Sequence, residues 1–194
     1  MDATNPTIEE FDELFRILQK NALAALHAFI LQIKSKEKTF NLLNRNHPRE
    51  KCTILQKAVS LFVESTISLK LIQILLDYGA NTELSEDDLS DVENLCLKTP
   101  LWISVERKAP FELIQLLLEY KADIFFTCEI DGIENNDSCK YSLLHLAIVS
   151  GVDERTLVAL VDKGGKVLLN DQRNPKQETP LSKYLVSQQL MFFF

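Results

Sequence analysis

Between Thr82 and Lys98 the chain carries six carboxylates, Glu83, Glu86, Asp87, Asp88, Asp91 and Glu93, before the next lysine or arginine. Asp87, Asp88 and Asp91 supply oxygen ligands of the kind a divalent cation needs. They lack the Asp-x-Asp-x-Asp-Gly order of a calcium loop, so no metal site is assigned. A second acidic segment follows at Asp123, Glu129, Asp131, Glu134 and Asp137. Together the two segments would project an acidic rim that steers a basic peptide or protein surface. The same residues also suit solvated loops that keep the protein in solution.

Thiol and imidazole chemistry finds less support. Cys52, Cys96, Cys128 and Cys139 form no Cys-x-x-Cys pair and are too scattered for either a zinc site or a disulfide scaffold. Reduced cysteines in a cytosol-like compartment are expected. A cysteine nucleophile needs a histidine oriented by a third group. Cys139 and His145 are near in sequence, but no third group follows from the pattern. His27 falls within an apolar helix face and His47 in a loop, neither with a partner the sequence names. The chain has only 5 glycines, none arranged as a phosphate-binding loop. No catalytic set, cofactor or enzymatic activity is therefore expected.

With 194 residues, 46% of them hydrophobic, the chain can bury a substantial core. Its net charge of −7 argues against nucleic acid and against anionic membrane surfaces, both of which require a basic excess. The apolar run 22–33 is interrupted by His27 and Gln32, so no membrane-inserted segment is expected. The chain reads as a soluble, cytoplasmic monomer. One local exception is basic: Lys34, Lys36, Lys38, Arg45, Arg49, Lys51 and Lys57 outnumber Glu37 and Glu50. That patch could meet an acidic partner or phosphates, or serve as a helix C-terminus followed by a solvated loop.

These side chains must be positioned by helices. Thr7-x-x-Glu10 predicts a capping box, followed by Phe11, Leu14, Phe15 and Leu18 at helical spacing. A second helix is expected over 22–36, with Leu23, Leu26, Phe29, Ile30 and Ile33 on its apolar face and the lysines at its C-terminal end. Beyond it the sequence repeats itself. The strings starting at Leu71, Leu113 and Leu157 are leucine-rich and end in Gly79-Ala80-Asn81, Lys121-Ala122-Asp123 and Gly164-Gly165. Each follows a second recurring string: Thr53-Ile54-Leu55-Gln56-Lys57-Ala58, Thr99-Pro100-Leu101-Trp102-Ile103-Ser104 and Ser142-Leu143-Leu144-His145-Leu146-Ala147. Thr179-Pro180-Leu181-Ser182 begins a fourth. Ser68 and Asp153 are expected as helix N-caps, and Gly79, Lys121 and Gly164 as left-handed residues after helix ends.

These strings resemble the ankyrin repeat, whose Thr-Pro-Leu-His-x-Ala signature survives in pieces between Cys52 and Tyr184. The resemblance implies an all-α solenoid of stacked helix-turn-helix units forming a single domain over 1–194. Its parts would be a degenerate N-terminal helical pair (1–50), repeats at 51–98, 99–140 and 141–176, and an incomplete unit at 177–194. His145 would then be a structural hydrogen-bonding residue, and Trp102 a buried replacement for it or a side chain on the concave surface. The starts lie 46, 43 and 37 residues apart, against an ankyrin period of about 33, and the extra residues fall in long connecting fingers.

What the resemblance implies about function is recognition of a partner protein with a basic surface, without catalysis. The concave groove would be lined by Lys57, Ser60, Ile103, Glu106, Arg107, Leu146, Val149 and Ser150. The fingers would add Glu83, Asp87, Asp88, Asp91 and Glu93, with Phe125 and Phe126 either as an exposed anchor or as the finger's own small core. The apolar end Leu190-Met191-Phe192-Phe193-Phe194 would either fold back as a cap or be covered by a further repeat of a longer protein. In the second case this chain would be a regulatory or targeting domain of an enzyme whose catalytic part lies beyond Phe194. Arrays of this irregular kind resemble both eukaryotic adaptors and pathogen effectors delivered into host cytoplasm.

Overall fold

The computed structural model describes residues 5–33, 35–83, 98–128, 141–172, 178–182 and 184–185. The chain forms two compact units, Met1–Ile103 and Ser104–Phe194, and helices dominate both, as an all-α protein requires.

In the first unit, α1 (Ile8–Gln19) begins at the capping box read from the sequence. The Glu10 N–H donates to Thr7 Oγ1 at 3.3 Å, and the Thr7 N–H donates to Glu10 Oε2 at 2.9 Å. Phe11, Leu14, Phe15 and Leu18 are all buried. The next helix, α2 (Leu23–Gln32), buries Leu26 and Ile30, but it stops short of the expected Lys36. Ser35 instead caps a separate helix, α3 (Lys36–Asn44), its Oγ accepting from the Lys38 N–H at 3.3 Å. A short side chain that accepts from the backbone favours a cap over a helix interior. Lys36 and Lys38 therefore stand at the start of α3, and Lys38 Nζ lies 2.8 Å from Glu10 Oε1. The described residues of 1–50 accordingly hold three helices where a pair is expected; Lys34 lies outside the described residues.

Two further helices, α4 (Ile54–Val63) and α5 (Leu69–Asp77), complete this unit's pairs. Packing is like on like: α1 lies against α4 and α2 against α5, while α3 leans on α4. Asn44, the last residue of α3, donates from Nδ2 to the Gly79 carbonyl at 3.0 Å and accepts from the Asn81 N–H. The inserted helix thus clasps the turn after α5. Ser68 starts α5 in extended conformation, yet its hydroxyl makes no cap bond. Its backbone N–H donates to Asn21 Oδ1 at 3.0 Å, tying the two interhelix turns together.

The boundary between the units falls within α6 (Pro100–Glu106). The second unit then contains α7 (Phe111–Glu119), α8 (Leu143–Ser150) and α9 (Glu154–Leu169). Pro110 immediately precedes α7, and Asp153 caps α9 by accepting from the Thr156 N–H at 2.7 Å. Helix α9 packs on both α7 and α8. A two-residue antiparallel ladder, β1 (Thr127–Cys128) with β2 (Tyr141–Ser142), was not foreseen; it pairs Thr127 with Ser142 and Cys128 with Tyr141. The long finger therefore leaves and rejoins the helices through paired strands.

The turns reveal a repeat more regular than the motifs. Asn21, Ser65, Lys108 and Gly151 all have φ between 51° and 69°, at intervals of 44, 43 and 43 residues. After each, the next N–H reaches back five residues: Ala22 to Ile17 O, Thr66 to Leu61 O, Ala109 to Ser104 O and Val152 to Ala147 O, at 2.8–3.3 Å. This satisfies carbonyls that a helix end leaves open. Gly79 (φ 92°) and Lys121 (φ 63°) do the same after the second helices, as expected. Gly164 does not, because α9 runs straight through it. A Cβ there would collide with the Leu168 side chain, so close packing rather than a turn selects glycine. Lys121 holds a conformation that disfavours any Cβ. Lys121→Gly should raise stability by about 0.5–1 kcal/mol in thermal melts, after allowing for the freer unfolded glycine. Gly79→Lys should lower it by a similar amount.

Candidate functional site

Four times the chain builds the same small frame. Thr53 Oγ1 accepts from the Gln56 N–H at 3.2 Å, Thr99 Oγ1 from Trp102, Ser142 Oγ from His145 and Thr179 Oγ1 from Ser182. Each hydroxyl thus caps the residue three positions on. That capped residue can then tie its unit to the next motif. Gln56 Nε2 donates to the Lys98 carbonyl at 2.9 Å, just before Thr99. His145 Nε2 lies 2.9 Å from the Glu178 carbonyl, just before Thr179. A carbonyl only accepts, so Nε2 carries the proton and Nδ1 takes the Ser142 hydroxyl hydrogen at 2.7 Å. Both His145 nitrogens are thereby committed, and the side chain is 2% exposed. It is positioned as a structural residue and has no nitrogen left to activate a nucleophile. Trp102, at the equivalent place, is fully buried.

What the frames present differs from one to the next. Seven residues after each motif start stand Ser60, Glu106 and Val149, half-buried in the first two cases and 44% exposed at Val149. Arg107 is exposed, Ile103 is half-buried, and so are Lys57 and Ser150. Leu146 is 1% exposed and belongs to the core, which corrects its expected place in the groove. Its α8 neighbours Leu143, Leu144 and Ala147 are buried too, because α8 is apolar nearly all round. Ile103 belongs to the first unit; Glu106, Arg107 and Val149 belong to the second.

Of the finger residues, Glu83 is half-buried, and its carboxylate accepts from the Thr82 hydroxyl at 3.1 Å. Asp87, Asp88, Asp91 and Glu93 lie outside the described residues, as do Cys96 and Cys139. Phe125 is 42% exposed and Phe126 half-buried. Phe125 is set by an Asx turn, its N–H donating to Asp123 Oδ1 at 2.8 Å. Among the described residues, no three His, Cys, Asp or Glu side chains gather as metal ligands, and no helix is long and apolar enough to cross a membrane.

His47 is the polar site that sequence reasoning missed. It is 2% exposed, with Phe11 and Phe15 rings packed against it at centroid distances of 5.7 and 4.6 Å. Nδ1 accepts from the Arg49 and Glu50 N–H groups at 3.1 and 3.2 Å, and Nε2 donates to Asp12 Oδ1 at 2.9 Å. The imidazole organises the loop before α4. Much of the basic patch is likewise spoken for: Arg49 lies 3.4 Å from Asp12, Lys57 2.8 Å from Glu50 and Lys38 beside Glu10. The hydrogen bond from Lys57 and its charge hold the Glu50 carboxyl below its ordinary range. That contribution to stability is present above the unfolded carboxylate value and is lost as pH falls through the lower folded one. It is small, since Glu50 is largely exposed.

No protein-family model matches the chain, and no curated protein matches it.

Proposed function

We propose that this protein is a non-catalytic recognition module of ankyrin-like repeats that binds a partner protein with a basic surface. The observation that carries the reading is the contrast between frame and display. The capping hydroxyl recurs at Thr53, Thr99, Ser142 and Thr179, while Ser60, Glu106 and Val149 vary at one accessible register of the same repeat. A constant support with variable accessible side chains is what a repeat scaffold uses to distinguish partners. The acidic fingers would supply long-range attraction, and Arg107, Val149 and Phe125 contacts at close range.

The two contributions separate kinetically. Replacing Asp87, Asp88 and Asp91 by Asn is expected to slow association with a captured partner and flatten its salt dependence, since rim charges act mainly through steering. Arg107→Glu is expected to speed dissociation instead. Affinity capture followed by quantitative comparison of the partners retained by wild type and by each variant provides the test. Were neither variant to lose a partner that wild type keeps, the fingers would be no more than a solubilising surface.

A further inference from the structure

The two buried histidines are held in different ways. At His145 the Nδ1 partner is the Ser142 hydroxyl, which can rotate to accept as readily as it donates. At His47 the Nδ1 partners are two backbone N–H groups, those of Arg49 and Glu50, at 3.1 and 3.2 Å. A backbone N–H cannot reverse its role. Nε2 donates to Asp12 Oδ1 at 2.9 Å, so the ring is bound as the neutral tautomer with its one proton on Nε2.

The backbone of the same residue closes the loop. The His47 N–H donates to the Cys52 carbonyl and the His47 carbonyl accepts from the Lys51 N–H, both at 2.9 Å. Lys51 is left-handed, with φ 54°, two residues before Thr53 caps α4. Four hydrogen bonds of the loop 47–52 therefore converge on His47, and two of them require a ring nitrogen with a free lone pair.

A proton added at Nδ1 would point into both N–H groups, in a site 2% exposed and walled by the Phe11 and Phe15 rings. Nearby charges do not offset that loss. Asp12 of α1 and Glu50 of the loop favour a positive ring, while Arg49, 3.4 Å from Asp12, and Lys57 of α4, 2.8 Å from Glu50, oppose it. Lys38 of α3 pairs with Glu10, Arg16 pairs with Glu13, and Glu9, Arg45 and Lys51 are exposed to solvent. The hydrogen bond to Asp12 is already made by the neutral ring. Protonation adds only attraction to a carboxylate that is 35% exposed and shared with Arg49. The loss of two acceptor bonds in a buried site outweighs it.

We propose that the loop 47–52 is an acid-released latch, closed while the His47 imidazole is neutral and opened when Nδ1 takes up a proton. Opening draws Glu50 away from Lys57, so the ammonium on α4 loses its partner in the same step. The open loop takes up the proton more readily than the closed one; the closed state is therefore favoured at neutral pH and lost on acidification. The device lies within the first unit and does not depend on the partner reading above.

Amide hydrogen exchange of the full chain, followed by NMR and corrected for intrinsic rates, tests the proposal. Between about pH 7.5 and about pH 5, which bracket the ordinary histidine value, protection of the Arg49 and Glu50 amides should fall at least about tenfold. His47→Asn sets a carboxamide oxygen within reach of the N–H groups two and three residues on and takes up no proton, so its protection should be the same at both pH values. His27→Gln, at an exposed histidine, should respond as wild type does. Should His47→Asn fail to fold, the wild-type titration decides alone: the ring-nitrogen signals of His47 and the amide signals of Arg49 and Glu50 must change over one and the same pH interval. Protection that holds or rises on acidification, an equal fall in His47→Asn, or ring and amide signals that change over separate intervals each overturns the latch.

Discussion

Leu75→Ala and Leu117→Ala should each cost about 2–5 kcal/mol, since both truncate a fully buried leucine and leave a cavity the surrounding helices only partly close. For a chain of this size that is roughly 4–20 °C in melting temperature. Lys70→Ala, on the exposed side of α5, should move it by no more than about 1–2 °C. The comparison is informative because Leu75 and Leu117 hold one register in two repeats: each lends its carbonyl to the N–H after a left-handed residue, Ala80 in one case and Ala122 in the other. If either leucine variant melts like the lysine control, the repeat register read from the helix ends is wrong.

That register was legible because caps and leucine spacing act locally. The start of α1 at Thr7 and the Asp153 cap each depend on a hydroxyl or carboxylate within three residues of the N–H it serves. Helix α3 was not legible for the complementary reason. Its sequence, Lys36 to Asn44, is mostly polar, and only Leu42 and Leu43 are buried, so no apolar stripe announces it. It is held by tertiary bonds from Asn44 to the Gly79 turn, 35 residues away. Gly164 misled in the same way, because a glycine chosen for close packing within a helix looks in sequence like a glycine chosen for a turn.

The candidate surface shows the same division. The resemblance places Arg107 and Val149 in an accessible groove lining, and both are exposed; it leaves Phe125, in the turn after α7, open. Burial of Leu146 could not be read locally, because α8 is apolar nearly all round and offers no polar face to set its phase. His47 eluded sequence reading since its partner Asp12 lies 35 residues earlier, on α1. The apolar groove that Leu144 and Ile148 of α8 form with Leu157 and Val161 of α9 and with Leu181 depends on how these segments converge, which no local pattern encodes.

Trp102 poses the sharpest test of how the repeated frame works. Gln56 and His145 occupy the equivalent position and donate to a carbonyl before the next motif, so the position is suited to a polar tie. Trp102 keeps the capped backbone, with its N–H on Thr99 Oγ1, but fills the site with the largest fully buried side chain in the protein. Volume should therefore govern its contribution. Trp102→Ala is expected to cost about 3–5 kcal/mol. Trp102→His, which restores the residue type of the motif, should still lose more than about 2 kcal/mol, because imidazole leaves most of the indole's space empty. His145→Leu should cost about 1–3 kcal/mol through the Ser142 hydroxyl and Glu178 carbonyl it leaves unmet. Urea denaturation read at two probes, with slopes compared to confirm two-state behaviour, gives all three values. A Trp102→His variant as stable as wild type would show that the position acts through a hydrogen bond in every unit, and that packing of the indole contributes little.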